Sequence, residues 1–125
     1  MNITKSDVEQ YLSDVFHAVN TGRYQISARQ KNQELYIDYV FTEEDAKQVI
    51  LSLTAYDFSD AVQNEHPQYH EEILYIFGKD VKLLPRYGNS EETVSLYIKF
   101  NKLTNQYVII ISFHKQQHPL TYKFK

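Results

Sequence analysis

Apolar positions in the first twenty residues recur at helical spacing. Val8, Leu12, Val15, Phe16 and Val19 form one stripe, because residues three and four apart share a helix face. Thr4 with Asp7 predicts a capping box at its start, and Gly22 in "NTGRY" predicts its stop. "YQISAR" (24–29) reads as a short extended piece. "ELYIDYVF" sets Leu35, Ile37 and Tyr39 against Tyr36, Asp38 and Val40, the alternation of a strand. Thr42 with Asp45, and Thr54 with Asp57, repeat the capping device before "EEDAKQVILSL" and "FSDAVQNE", predicting two short helices.

After Tyr69 the period changes to two. "EEILYIFGKDVKLL" predicts a strand, a turn at Gly78 and a second strand. "TVSLYIKF" and "YVIIISFHK" predict one strand each, and "HPLTYKF" a possible last one. Helices come first and an antiparallel meander second. The expected class is α+β, a single domain over 1–125, with N-terminal helices on one face of a mostly antiparallel sheet.

The two strands before the end carry the chemistry. On Thr93–Phe100, Val94, Leu96, Ile98 and Phe100 share one face, and Ser95, Tyr97 and Lys99 share the other. On Tyr107–Lys115, regular alternation puts Ile109, Ile111 and Phe113 on one face and Val108, Ile110, Ser112 and His114 on the other. Pairing the apolar faces brings Ser95, Tyr97 and Lys99 to the side of Ser112 and His114. That side is either a solvated sheet surface or an acid–base site.

Composition narrows the class. The chain has 125 residues, 11 Tyr, 7 Phe and no Cys, so no disulfide and no thiolate chemistry is available to it. The start "MNITKSDVEQYLSDVF" lacks a basic and apolar leader, and no apolar run approaches a membrane span. A cytoplasmic protein with no membrane contact is expected. The net charge of −3 argues against a broad nucleic-acid coat. The charge is uneven, however. From Arg86 onward there are six Lys or Arg against only Glu91 and Glu92, which leaves room for a local basic site.

His114 carries the one side-chain type that titrates near neutrality, so it can take and give a proton. Lys99 and Lys115 can offset charge on a phosphate. Tyr97 can donate a hydrogen bond or stack a base. Together these types suit metal-free RNA cleavage, in which a 2′-hydroxyl attacks its own phosphate and no cofactor takes part. Alternation sets Lys115 on the side opposite His114, so it helps only if the strand bends. Arg23, Arg29, Arg86 and His70 are further candidates for holding RNA. His66 and His70 have the spacing of a helical zinc pair, but Pro67 breaks the helix and no third ligand follows. No metal is therefore expected, although a metal-dependent hydrolase on this pair is a third reading. His17 and His118 have no evident role.

Four segments in order carry a family resemblance: "VNTGRYQISAR", "VILSLTAYDFSDAV", "VSLYIKF" and "VIIISFHK". They span nearly the full length. In them the chain resembles the MqsR family of toxins from bacterial toxin–antitoxin systems. The resemblance implies a RelE-like fold and a ribosome-independent mRNA endonuclease acting on single-stranded RNA. It also implies neutralisation by a cognate antitoxin, with no DNA contact by the chain itself. The family's tyrosine in the penultimate strand falls on Tyr97. Its lysine after "SF" falls on His114, with Lys115 next. Its lysine after "DF" falls on Asp60, and its glutamine near Glu71 or Glu72. With those departures, a non-catalytic interaction protein of the same fold is the alternative.

Overall fold

Helix α1 spans Lys5–Asn20 and begins where its capping box predicts. Thr4 Oγ1 accepts from the Asp7 N–H at 3.1 Å, and the Asp7 carboxylate accepts from the Thr4 N–H at 2.9 Å. The same reciprocal pair at Thr42 and Asp45 starts α3, Glu43–Leu51. The computed structural model describes every residue, Met1–Lys125. Between those helices lie β1 (Tyr24–Ile26) and α2 (Gln30–Asp38), and after them β2 (Phe58–Gln63), β3 (Ile73–Leu83), β4 (Glu92–Lys102) and β5 (Val108–Lys115). None of the helices is long and apolar enough to cross a membrane.

The class is α+β. The five strands form one mixed sheet in the order β1-β5-β4-β3-β2. Only β1, which runs parallel to β5, departs from an antiparallel arrangement. The inner face presents Phe77, Leu96, Ile98, Phe100, Ile110 and Phe113 to Val8, Val15, Leu35 and Ile50 of the helices, all fully buried. Each such side chain contributes on the order of 1.5–3 kcal/mol by leaving water.

Four sequence expectations are corrected. "ELYIDYVF" is not a strand: its first five residues finish α2, because Asn32, Leu35 and Tyr39 point inward at helical spacing. The stripe escapes an apolar count because one of its three members is an asparagine. "FSDAVQ" is not a helix. The Thr54–Asp57 box forms, but it caps only a three-residue 3₁₀ turn. The chain then turns extended at Phe58, and pairing with β3 overrides the local signal. Gly78 is not a turn, since β3 runs unbroken through it, paired with Tyr97.

The fourth correction concerns the tail. "HPLTYKF" forms no strand but a strap. Gln116 donates from its N–H to Ser95 O at 2.8 Å and from Nε2 to Leu96 O at 2.9 Å. Leu120 and Tyr122 then pass over Gly78 of β3, and the Lys123 N–H reaches Phe58 O of β2 at 3.1 Å. Glycine is required at 78 by this crossing. A Cβ there would stand 2.8 Å from Leu120 Cδ1 and 2.9 Å from Gln116 Nε2, and would overlap the Tyr122 hydroxyl.

Candidate functional site

The outer face of the sheet is set by a bulge in β5. Lys99 pairs with Ser112 but the next β4 residue, Phe100, pairs with Ile110, which leaves Ile111 as an extra residue. The bulge shifts the side-chain phase by one. Val108 and Ile110 enter the core before it, and Phe113 enters after it, while Ile109 and Ile111 stay half-exposed. The regular alternation expected for this strand, with Ile109 and Ile111 on the core side, is thereby corrected. Beyond the bulge the cross-strand pairs are Tyr97 with His114 and Lys99 with Ser112, so these four residues share the outer face as expected.

Asn32 holds the bulge in place. It is 1% exposed and all its side-chain hydrogen bonds are with backbone. Oδ1 accepts from the Phe113 N–H at 2.8 Å. Nδ2 donates to Ile111 O at 3.0 Å and to Ser27 O at 2.8 Å. The amide thus completes the ladder that the extra residue interrupts. Sequence reasoning missed Asn32. The only available signal was a lone polar residue three and seven positions before Leu35 and Tyr39 on one helical stripe.

Around these residues lies a cleft of about 310 Å³. Tyr97, Lys99, Ser112 and His114 line it from the sheet, Arg29 and Lys31 from the start of α2, and Gln117, His118 and Leu120 from the strap. The lining includes one guanidinium, two lysine amines, two imidazoles and no carboxylate. No side chain caps the first turn of α2, so that end of the helix adds the positive pole of its dipole beside Arg29 and Lys31. Arg29 Nη1 donates to Ser112 Oγ at 3.1 Å.

The rings of Tyr97 and His114 stack, with centroids 5.2 Å apart and planes within 15°. His114 Nδ1 lies 2.7 Å from Lys115 O. A carbonyl only accepts, so Nδ1 carries the hydrogen and the neutral ring has its lone pair on Nε2. Burial pushes the Tyr97 phenol above its ordinary range, with Arg29 pulling partly back, so it stays a donor at neutral pH. Burial first, and Arg29 second, hold the Lys99 ammonium below the usual lysine value.

The other candidates are dispersed. Lys115 is on the helix side of β5, 4.9 Å over the Tyr39 ring, and the Tyr39 hydroxyl is the main cause that raises its pKa. It meets His114 only at a second, smaller hollow of about 270 Å³ beside α2, with Lys31, Glu34 and Asp38. Arg86 donates from Nε and Nη2 to Tyr36 O, at 2.9 and 2.8 Å, and so closes the end of α2. Arg23 donates to Asn105 O at 2.7 Å beside the start of β5, roughly 20 Å along the strand from His114. His70 closes a turn against Pro67 O in the β2–β3 connection. No three imidazole or carboxylate groups come together there or elsewhere. Asp60 shares a cross-sheet row with Ile76 and Lys99, two strands or about 10 Å from Lys99. Its carboxylate accepts from the Ala61 N–H. Glu72 accepts from Asn64 and Asn101. No family model matches the chain, and no curated protein matches it in sequence.

Proposed function

We propose that this protein is a metal-independent endoribonuclease toxin of MqsR type, with a RelE-like fold, and that the outer-face cleft is its active site. The observation that carries the reading is the cleft's makeup: Arg29, Lys31 and Lys99 around a stacked Tyr97–His114 pair, with no carboxylate, in a chain of net charge −3. A phosphodiester entering there meets three cationic side chains and no carboxylate in the lining. Arg29 and Lys99 hold the phosphate and stabilise its developing charge. Tyr97 orients the sugar or base by its hydroxyl and ring. His114 Nε2 takes the proton of the attacking 2′-hydroxyl.

A neutralising antitoxin would find apolar surface at the other end of α2. Ile37 is 64% exposed and Val40 57% exposed, and Tyr87 is fully exposed. The Val40 N–H bonds Leu84 O, and Arg86 bonds Tyr36 O, which brings the three onto one ridge. The same ridge favours the alternative reading of a non-catalytic interaction protein.

The deciding experiment is cleavage of a defined single-stranded RNA in EDTA. Specific cuts leaving 5′-hydroxyl ends are expected, with His114→Ala slower by roughly 10²–10⁴-fold. Intact RNA with a folded wild-type protein would leave the binding reading standing in its place.

A further inference from the structure

The cleft contains a second imidazole that the sequence pattern gave no reason to notice. We propose that His118 is a catalytic residue of the same reaction, the general acid facing the base His114. The inference rests on the ribonuclease reading above. It starts from the strap, because His118 belongs to neither the sheet nor the helices. It reaches the cleft only because Gln116 is fixed to Ser95 O and Leu96 O and because Leu120 and Tyr122 seat over Gly78. Pro119 follows His118 and restricts it to extended backbone. The result is one imidazole from the sheet and one from the strap, both lining a single cleft of about 310 Å³.

Their surroundings give them different roles. His114 is stacked on Tyr97 and has its Nδ1–H committed to Lys115 O, so Nε2 is left as an acceptor. That is the form of a base. His118 is exposed and its ring has no hydrogen-bond partner in the fold, so either nitrogen is free to meet a departing oxygen. That leaves the acid's place to His118. The charged groups facing the pair are Arg29, Lys31 and Lys99, with Glu65 acting on Lys99 and with Glu34, Asp38 and Lys115 on the far side of His114.

The step balances without any further reactant. The 2′-oxygen forms a bond to phosphorus and gives its proton to His114 Nε2. The bond from phosphorus to the 5′-oxygen breaks, and that oxygen takes a proton from His118. A 2′,3′-cyclic phosphate and a 5′-hydroxyl leave, and both rings return to their starting states by exchange with water. Two groups of opposite protonation state give a bell-shaped dependence of rate on pH.

The test compares two leaving groups. RNA needs a proton on its departing oxygen; a nucleoside 3′-(4-nitrophenyl phosphate) does not. His118→Ala and His118→Asn are expected to slow RNA cleavage by about 100-fold or more. On the nitrophenyl esters of the four nucleosides they should lose far less, while His114→Ala loses both. The alkaline limb of the RNA profile should vanish in the His118 variants. Gly78→Ala, which displaces the strap, should show the same split. Equal losses on both substrates, or full RNA cleavage by a folded His118→Ala protein, would overturn the assignment while the wild-type activity keeps the ribonuclease reading. A wild-type protein that cleaves neither substrate removes both.

Discussion

At the residue scale, Lys99 shows how the cleft spends stability on charge. Its ammonium is pushed below 10.5 by burial and then by Arg29. The unfolded chain therefore binds this proton more tightly than the folded one does. Below the depressed pKa the folded state carries the full cost, and stability recovers as pH rises through it towards 10.5. Lys99→Met should thus raise the melting temperature at pH 7 by about 1–3 °C while weakening RNA binding. Calorimetry beside a binding titration checks both. A lower melting temperature would mean that the ammonium is a net stabiliser. The lysine type at this position was legible from alternation alone; its burial was not, because that depends on Arg29, which arrives from seventy positions upstream.

At the element scale, the bulge is the feature on which the site depends. The patterns of α1 and α3 could be read directly, because a Thr and an Asp three apart stabilise a helix start within the segment itself. The same pair at Thr54 and Asp57 misled, because it fixes only the first turn. Whether a helix continues is decided by β3, which takes Phe58–Gln63 as a partner. The extra residue at Ile111 is likewise invisible locally. Four β-branched residues in a row look the same in either phase, and only Asn32 on another element fixes which one enters the core. Asn32→Ala leaves the Phe113 N–H and the Ile111 and Ser27 carbonyls without this partner. It should cost roughly 2–4 kcal/mol, read by urea denaturation. A loss below ~1 kcal/mol would show that water or a backbone shift replaces the amide. The candidate residues legible in the sequence, Tyr97, Lys99 and His114, all belong to the regular strand pairing. Arg29 was named without a place, and Lys31 and His118 were missed, because loop and strap positions leave no periodic trace.

At the scale of the whole molecule, the sign of the net charge and the sign of the cleft oppose each other. RNA binding then depends on few contacts. With Arg29, Lys31 and Lys99 each meeting one phosphate, log K should fall against log salt with a slope of about −2 for a single strand. Affinity should drop roughly twentyfold between 50 and 200 mM salt. A fluorescence titration series measures it. A slope steeper than about −4 would mean that the RNA runs well beyond the cleft, over the basic C-terminal third.

The parallel pairing of β1 with β5 has a consequence for assembly. Tyr24 faces Val108 in the register, a separation of 108 − 24 = 84 positions. The strands β2 to β5 each meet their neighbour across a short connection, whereas β1 must close a loop that encloses most of the chain. The early strand is thus the late one in forming the sheet. A chain cut short before Val108 would lose not one edge of the sheet but two strands together, and with them the start of α2 that supplies Arg29, Lys31 and Asn32. The N-terminal third and the last strand are one unit of folding, although about half of the sequence lies between them.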